Sequence, residues 1–351
     1  MTSLFCFYTP LFSLLFSIAS CSNKQEALYF SGSTMGTTYH ITVVPNLIVP
    51  NLGDGIELLD KQGLASGIED VLKSVNQSMS TYIPTSEISI LNDDKNGEWL
   101  PVSPMLNHVL SKAIEIGRLS EGALDITVGP LVNLWGFGPT STVIRSPSKE
   151  EIKDLEPVIG VNKLTFNVDE SKLKKPVGMR IDLSSIAKGY GADVIAQYLD
   201  QNAYENYLIE VGGELVTKGV NSQGRKWRIG VEMPAVGREG VQQAITVSGK
   251  GIATSGDYRN YFEQDGVRFS HIIDPRTGYP VKNNLASVTV IAETGTVADG
   301  LATAFSVLGE QRSFDLARQH GIAIYAIIRH DDKFVSKYSD AFQAYLDGGG
   351  E

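Results

Sequence analysis

The chain has 351 residues and a formal net charge of −10, with a sequence pI of about 5.1. This length allows one large domain or two intertwined ones, since about 150 residues per domain is only a guide. Its 40 Asp and Glu residues outnumber 30 Lys and Arg residues, which form no basic cluster, and this argues against nucleic acid as a partner.

The N-terminus has the pattern of an export signal. Residues 1–20 carry no charged side chain and contain an apolar core from Leu11 to Ala19, too short for a permanent membrane span. The core ends at Ile18-Ala19-Ser20-Cys21, which resembles the lipobox of bacterial lipoproteins and implies lipidation of Cys21 at the periplasmic face of a membrane. An unlipidated secreted protein is the alternative. Because the other cysteine, Cys6, lies in the segment to be removed, the mature chain is expected to lack disulfide and thiol chemistry.

Residues 1–20 are therefore predicted as a lipoprotein signal peptide, 21–30 as an anchor linker and 31–345 as one folded domain. Apolar spacing and capping residues predict helices over 64–79, from Ser103-Pro104, from Ser148 to Pro157, and over 184–202. Alternating apolar residues predict strands over 39–44, 163–168, 206–211, 226–232, 243–247, 268–273 and 285–291.

The strand order favours a largely antiparallel sheet. Tyr207–Val216 followed by Trp227–Glu232 is interpreted as a hairpin. A largely antiparallel sheet predicts an α+β fold rather than a doubly wound sheet. The helices are amphipathic and should cover the sheet.

Several familiar enzyme motifs are absent or incomplete. No Walker A pattern occurs, and neither Gly136-Phe137-Gly138 nor Gly189-Tyr190-Gly191 extends to a dinucleotide fingerprint. Ser185-Ile186-Ala187-Lys188 matches the S-x-x-K of penicillin-recognising enzymes, but the partner motifs S-D-N and K-T-G are missing. The five histidines show no metal-ligand spacing, which disfavours a zinc hydrolase.

The most informative region combines the segment Ser270–Gly278 with Asp299 and Thr303. The first part places His271 on a short apolar strand that runs into a tight turn. Asp299 and Thr303 are four residues apart, so on a helix their oxygens share one face. Such a pair suits Mg²⁺, which prefers oxygen ligands and completes its shell with water and substrate phosphate. A phosphate-bearing substrate is the natural expectation.

Eight segments in the same order resemble the ApbE family of FAD:protein FMN transferases, and together they span about residues 30–310. The segments are Ser33–Tyr39, Met79–Glu87, Gly122–Leu131, Ile181–Gly189, Val211–Glu214, Ala253–Tyr258, Ser270–Gly278 and Ala298–Thr303. Two departures stand out: Glu214 occupies a position where aspartate is common, and Ile90 one where a basic residue is frequent. Neither is expected to touch the chemistry.

The resemblance implies a T-fold-like α+β domain with FAD in an extended cleft. The residues it assigns to FAD are Met35, Tyr82, Ala123, Leu124, Asp125, Asp182, Lys188 and Ile273. Sequence alone leaves alternatives open: Asp125 is also a good turn former or helix cap, and Asp182 a good N-cap for the helix from Ser184.

The same resemblance assigns Mg²⁺ to Ser185, Asp299 and Thr303, with a backbone carbonyl near Ala187 as a further ligand. Lys188, three residues after Ser185 on one helical face, would neutralise phosphate, with Arg276 as an additional candidate. His271 is the candidate base because its unperturbed pKa lies near neutrality. A structural, hydrogen-bonded His271 is the alternative, and Asp274 is expected to be structural.

The implied reaction is phosphoryl transfer. A threonine hydroxyl on an exported acceptor, a flavoprotein subunit of an electron-transfer complex, attacks the FMN-side phosphorus of FAD, and AMP leaves. Two alternatives remain open on sequence alone. Water as the acceptor would make the protein an FAD pyrophosphatase that releases FMN and AMP, and a chain without turnover would be a lipid-anchored FAD-binding protein.

Overall fold

A computed structural model describes residues 26–45, 60–138, 145–232, 241–256, 261–264, 267–330 and 333–346. The predicted signal peptide and Cys21 lie outside these ranges, as do Asp257 and Tyr258. None of the helices in the described ranges combines the length and apolarity that a membrane crossing needs. The first strand begins at Leu28, so the folded part starts inside the segment predicted as a linker.

The strands, numbered along the chain, are β1 (Leu28–Thr34), β2 (Thr37–Val43), β3 (Leu100–Pro101), β4 (Thr165–Asn167), β5 (Lys172–Lys174), β6 (Tyr207–Val211), β7 (Glu214–Lys218), β8 (Trp227–Glu232), β9 (Val241–Val247), β10 (Lys250–Gly256), β11 (Tyr261–Gln264), β12 (Val267–Ser270), β13 (Ile273–Asp274), β14 (Tyr279–Pro280), β15 (Leu285–Ala292), β16 (Ala323–His330) and β17 (Lys333–Tyr338). In the described part of the chain, eight of them form one sheet in the order β1-β2-β6-β7-β10-β15-β16-β17. All neighbours in this sheet are antiparallel. The predicted α+β class with a largely antiparallel sheet is confirmed.

The helices are α1 (Lys61–Met79), α2 (Glu87–Asn92), α3 (Pro104–Leu119), α4 (Gly129–Leu134), α5 (Lys149–Leu155), α6 (Ala187–Gln201) and α7 (Gly295–His320). Local chemistry sets several of their starts: Ser103 caps α3 ahead of a proline, and Ser148 with Glu151 forms the predicted capping box of α5. Helices α6 and α7 pack on the sheet, α1 packs on α6, and α3 packs on α7.

Strands β15 and β16 of the sheet are buried on both faces, as the side chains of β16 illustrate. Ile324, Ala326 and Ile328 join the large core beneath the helices. Tyr325 and Ile327 alternate with them and pack on the other face, in a second core to which the β8–β9 hairpin contributes. A strand covered on both sides reads as a continuous apolar run, because neither set of alternate side chains meets water.

Helices α6 and α7 cross at unusually close range. A Cβ built on Gly189 would lie 2.1 Å from the Gly295 carbonyl oxygen and 2.8 Å from Asp299 Cβ, so only glycine fits there. Asp193 of α6 also accepts hydrogen bonds from the backbone N–H groups of Gly295 (2.7 Å) and Thr296 (2.8 Å). These are donors that the start of a helix leaves unsatisfied. The N-terminus of α7 is therefore fixed on α6.

Two predicted elements are wrong in detail. The Tyr207–Val216 segment does not pair with Trp227–Glu232: Gly212 (φ 63°) and Gly213 (φ 103°) place a turn directly after Val211, so β6 pairs with β7 and β8 pairs with β9. The helix predicted from Ser184 begins at Ala187, because residues 184–186 form a turn and Ile186 has a non-helical backbone (φ −150°, ψ −19°).

Candidate functional site

A cleft of about 830 Å³ lies at one end of the sheet. Its walls come from the start of β2, the segment that leads into α6, the β6–β7 turn, β8, β10, the 271–273 segment and the first turns of α7. The predicted site residues that line it are Tyr82, Asp182, Ser185, Lys188, His271, Ile273, Asp299 and Thr303. Residues far apart in sequence thus converge on one cavity, whose volume is typical of a small-molecule site.

Lys188 lies at the centre of the cleft between two carboxylates. Its Nζ is 2.9 Å from Glu214 Oε1 and 3.8 Å from Asp299 Oδ1. Burial alone would lower the pKa of the Lys188 ammonium, but the charges of Asp299 and Glu214 outweigh it and raise that pKa above its ordinary value. Ser185, predicted on the same helical face, lies instead in the turn before α6. Lys188 is therefore a fixed cation in the first turn of that helix.

Asp299 and Thr303 share one face of α7, as their spacing predicts, and both line the cleft. Asp299 is buried, and its Oδ2 accepts a hydrogen bond from the Gly189 backbone N–H at 2.9 Å. This bond orients the carboxylate and turns Oδ1 toward Lys188. The close crossing of α6 and α7 thus places the acid in the site.

Glu214 is a site residue that the sequence argument missed. It is only 4% exposed, lines the cleft and forms the closest ion pair of Lys188. Its Oε2 has no hydrogen-bond partner among the described residues. Burial and the nearby Asp299 charge raise the pKa of the Glu214 carboxyl, and Lys188 opposes this rise only in part. The expectation that this position lies outside the chemistry is corrected.

The donor set of the cleft fits Mg²⁺. Two hydroxyls, from Ser185 and Thr303, and the Asp299 carboxylate offer oxygen ligands, the type this ion prefers. Glu214, whose Oε2 has no hydrogen-bond partner among the described residues, lines the same cleft and adds a further carboxyl oxygen. Within the described residues no group of three or more His, Cys, Asp or Glu side chains forms a metal cage, so the ion would rely on hydroxyls, water and substrate.

The 271–278 segment forms another wall. His271 lies at a bend between β12 and β13 rather than within a strand, and its ring centroid is 6.3 Å from that of Phe137. The following turn is held by Asp274, which accepts hydrogen bonds from the Arg276 backbone and from its guanidinium (2.8 Å). Asp274 is structural, as predicted. The guanidinium of Arg276 is committed to this pair and does not line the cleft.

The predicted FAD contacts fall into two groups. Tyr82 is 68% exposed at the cleft and offers a free aromatic face, whereas Ile273 is buried in its wall. Asp182 lines the cleft, and its Oδ1 accepts a hydrogen bond from the Ser184 backbone N–H at 2.8 Å within the turn before α6. Because α6 begins at Ala187 with Ile186 as its N-cap, the alternative role of Asp182 as the N-cap of this helix is wrong.

The other four predicted FAD residues do not line the cleft. Met35 lies in the β1–β2 turn with left-handed backbone (φ 50°), beside Thr37, which does line it. Ala123 and Leu124 are buried. Asp125 uses both carboxylate oxygens internally, for Thr127 and for the Val161 backbone N–H (2.8 Å). Their roles toward FAD stay predictions.

The cleft has the volume of a small-molecule site and is lined by acidic, basic and hydroxyl side chains from distant parts of the chain. The family model of the ApbE family matches residues 35–327. FAD:protein FMN transferases from Vibrio cholerae and Haemophilus influenzae are 44% and 41% identical, over 95% and 94% of this chain and 96% and 95% of their own lengths. The solved flavin transferase ApbE from Vibrio cholerae superposes with a TM-score of 0.82 at 43% identity, covering 92% of this chain and 99% of that one. The chain belongs to the ApbE family.

Proposed function

We propose that this protein is a Mg²⁺-dependent FAD:protein FMN transferase that moves the FMN moiety of FAD onto a threonine hydroxyl of an exported acceptor flavoprotein and releases AMP. The observation that carries the proposal is the convergence of Ser185, Lys188, Asp299 and Thr303 on one ligand-sized cleft. The names of the similar proteins supply the reaction class.

The step is a displacement at phosphorus. The threonine oxygen forms a new bond to the FMN-side phosphorus, the bond from that phosphorus to the bridging oxygen of the pyrophosphate breaks, and AMP carries that oxygen away. The hydroxyl proton needs an acceptor, and His271 on the cleft wall is the side chain whose ordinary pKa suits this role. The product is a phosphoester-linked flavin.

Positioning and charge neutralisation dominate catalysis of such a step. Bound Mg²⁺ would neutralise charge on the phosphate oxygens, and Ser185, Asp299 and Thr303 are the residues that would hold it. Tyr82 would stack on an aromatic ring of FAD, and Ile273 would pack on flavin or adenine. Lys188 adds positive charge to the cleft, although two carboxylates already share it.

The proposal is tested with the soluble domain from Ser22 onwards, FAD, Mg²⁺ and an acceptor protein bearing a threonine motif. Intact mass of the acceptor and free AMP are read with and without EDTA. Transfer predicts an acceptor heavier by one FMN group, AMP in equal amount, and loss of both with EDTA. Release of AMP and free FMN without modification of the acceptor would identify an FAD pyrophosphatase. If no AMP is released, the protein would be an FAD-binding protein without turnover.

A matched pair of variants tests the metal ligands. Thr303→Ser keeps the oxygen and should retain much of the transfer, whereas Thr303→Val keeps the shape and removes the oxygen, so it should require far more Mg²⁺. Equal Mg²⁺ requirements for both variants would contradict a ligand role for Thr303.

We further propose that the protein is a lipoprotein anchored through Cys21 at the periplasmic face of the inner membrane. The lipobox-like segment supports this, and β1 begins only seven residues later, at Leu28. Cys21→Ala should move the protein from the membrane fraction to the soluble fraction. The lipid anchor would be contradicted if the Cys21→Ala variant stayed in the membrane fraction and the wild-type protein carried no lipid.

A further inference from the structure

The spacing of three charged groups in the cleft is uneven. The Lys188 ammonium is in hydrogen-bond contact with Glu214 Oε1 at 2.9 Å, but it is 3.8 Å from Asp299 Oδ1. A charge-assisted hydrogen bond between an ammonium and a carboxylate is typically about 2.7–2.9 Å long. Lys188 is therefore bonded to Glu214 and is near Asp299 without being bonded to it.

This difference matters because the oxygen that Lys188 leaves unbonded is the one that would bind a cation. Asp299 Oδ2 already accepts the Gly189 N–H, so Oδ1 is the oxygen available for a metal. An ammonium bonded to Oδ1 would compete with a divalent cation for that oxygen by charge and by space.

We propose that Glu214 is a positioning residue, which holds the Lys188 ammonium away from Asp299 Oδ1 and thereby keeps that oxygen open for a divalent cation. The inference rests on the metal site of the proposed function. It assigns Glu214 a role through Lys188, rather than as a metal ligand itself.

The surroundings of both side chains are built to hold this arrangement. Glu214 begins β7 directly after the left-handed pair Gly212 and Gly213, and its burial leaves the carboxylate few other positions. A Cβ on Gly212 would lie 3.1 Å from Lys188 Cδ, so the glycine gives the lysine stem its path along the turn. The β6–β7 turn thus leaves room for the Lys188 side chain and places Glu214, its ion-pair partner, beside it.

Glu214→Gln is the central test, with Mn²⁺ as the probe and free Mn²⁺ measured by electron paramagnetic resonance. The amide keeps the size of the side chain but loses the charge that competes with Asp299 for the ammonium. Lys188 should then bond to Asp299, and Mn²⁺ affinity should fall about 10- to 100-fold, the usual range for residues that support a ligand.

The double variant Glu214→Gln/Lys188→Met separates positioning from direct ligation. If Glu214 acts by diverting Lys188, removing the lysine as well should restore Mn²⁺ affinity to within about threefold of the wild type, since no competitor remains. If Glu214 were itself a ligand, the double variant would stay as weak as Glu214→Gln, and the inference would be wrong.

Two further variants complete the design. Glu210→Gln removes the same charge from the same cleft, but Glu210 bonds to His40 (2.7 Å) and to the Gly213 N–H (2.6 Å) rather than to Lys188. The Mn²⁺ affinity of this variant should change by less than about threefold. A loss of affinity equal to that of Glu214→Gln would mean that the lost negative charge alone, rather than the position of Lys188, explains the effect.

Glu214→Asp keeps the carboxylate and should bind Mn²⁺ more tightly than Glu214→Gln, which keeps the inference testable if the glutamine variant folds poorly. Wild-type protein that binds no Mn²⁺ would overturn the proposed metal site itself. Wild-type binding that Glu214→Gln leaves unchanged would overturn only the role of Glu214.

Discussion

Gly189→Ala tests whether the close crossing of α6 and α7 builds the site. In a free helix this substitution would stabilise by about 1 kcal/mol, because alanine has the higher helix propensity. Here the new methyl would lie 2.1 Å from the Gly295 carbonyl oxygen, well inside the 3.4 Å at which ordinary contacts begin, so the helices must move apart. Overpacking typically costs about 1–3 kcal/mol, and the upper end of this range applies because the obstacle is backbone rather than a flexible side chain. After the gain in helix propensity, we expect a net loss of about 2 kcal/mol.

The measurement is urea unfolding followed by circular dichroism, together with Mn²⁺ affinity. Gly191→Ala is the matched control: it lies two residues further along α6, and its methyl would meet the mobile end of Met35 at 2.8 Å. The control should unfold within about 1 kcal/mol of the wild type, because the gain in helix propensity and the cost of displacing the Met35 side chain oppose each other. Gly189→Ala should also weaken Mn²⁺ binding, because Asp299 moves with α7. A Gly189→Ala protein that is as stable as the control and binds Mn²⁺ normally would refute the reasoning.

Three other perturbations have defined outcomes. Trp135→Ala should cost about 3–5 kcal/mol in urea unfolding, because the indole is fully buried and donates to the Gly278 carbonyl at 2.8 Å; an unchanged midpoint would contradict this. Tyr82→Ala should leave unfolding unchanged, since the side chain is 68% exposed, but weaken FAD binding by about 1–3 kcal/mol in a fluorescence titration. Equal affinity would exclude stacking. Burial lowers the pKa of Lys175, so the folded state loses this proton before the unfolded state does as pH rises. The stability of the wild type should therefore rise relative to Lys175→Met as the pH rises towards the ordinary lysine pKa of about 10.4, and a falling difference would contradict the sign.

Local patterns in the sequence are sufficient for several helix starts and for one part of the proposed metal site. Ser148 and Glu151 predict their capping box because both partners lie within four residues. Asp299 and Thr303 predict a shared face for the same reason, since helical geometry fixes it. The family resemblance, rather than any local pattern, indicates which polar residues from distant segments line the same cleft.

What the sequence does not reveal depends on contacts between distant segments. Glu214 and Lys188 are 26 residues apart, and the sequence around each of them does not predict that they form an ion pair. Arg276 is a plausible phosphate ligand by charge, but Asp274, two residues earlier, accepts hydrogen bonds from two of its three guanidinium nitrogens. The residues of β8 likewise do not predict which strand pairs with it, because strand pairing depends on which strand the turns bring alongside.

The order of the site along the chain has a consequence for biosynthesis. Lys188 and Glu214 leave the ribosome long before Asp299, and β15 is made before its partner β16. A nascent chain that ends before Asp299 therefore contains the Lys188–Glu214 ion pair but lacks the Asp299 carboxylate beside it. Catalytic competence should emerge only after α7 has been made and has docked on α6. Chains terminated upstream of that helix should be inert precursors, however much of the rest of the cleft they already contain.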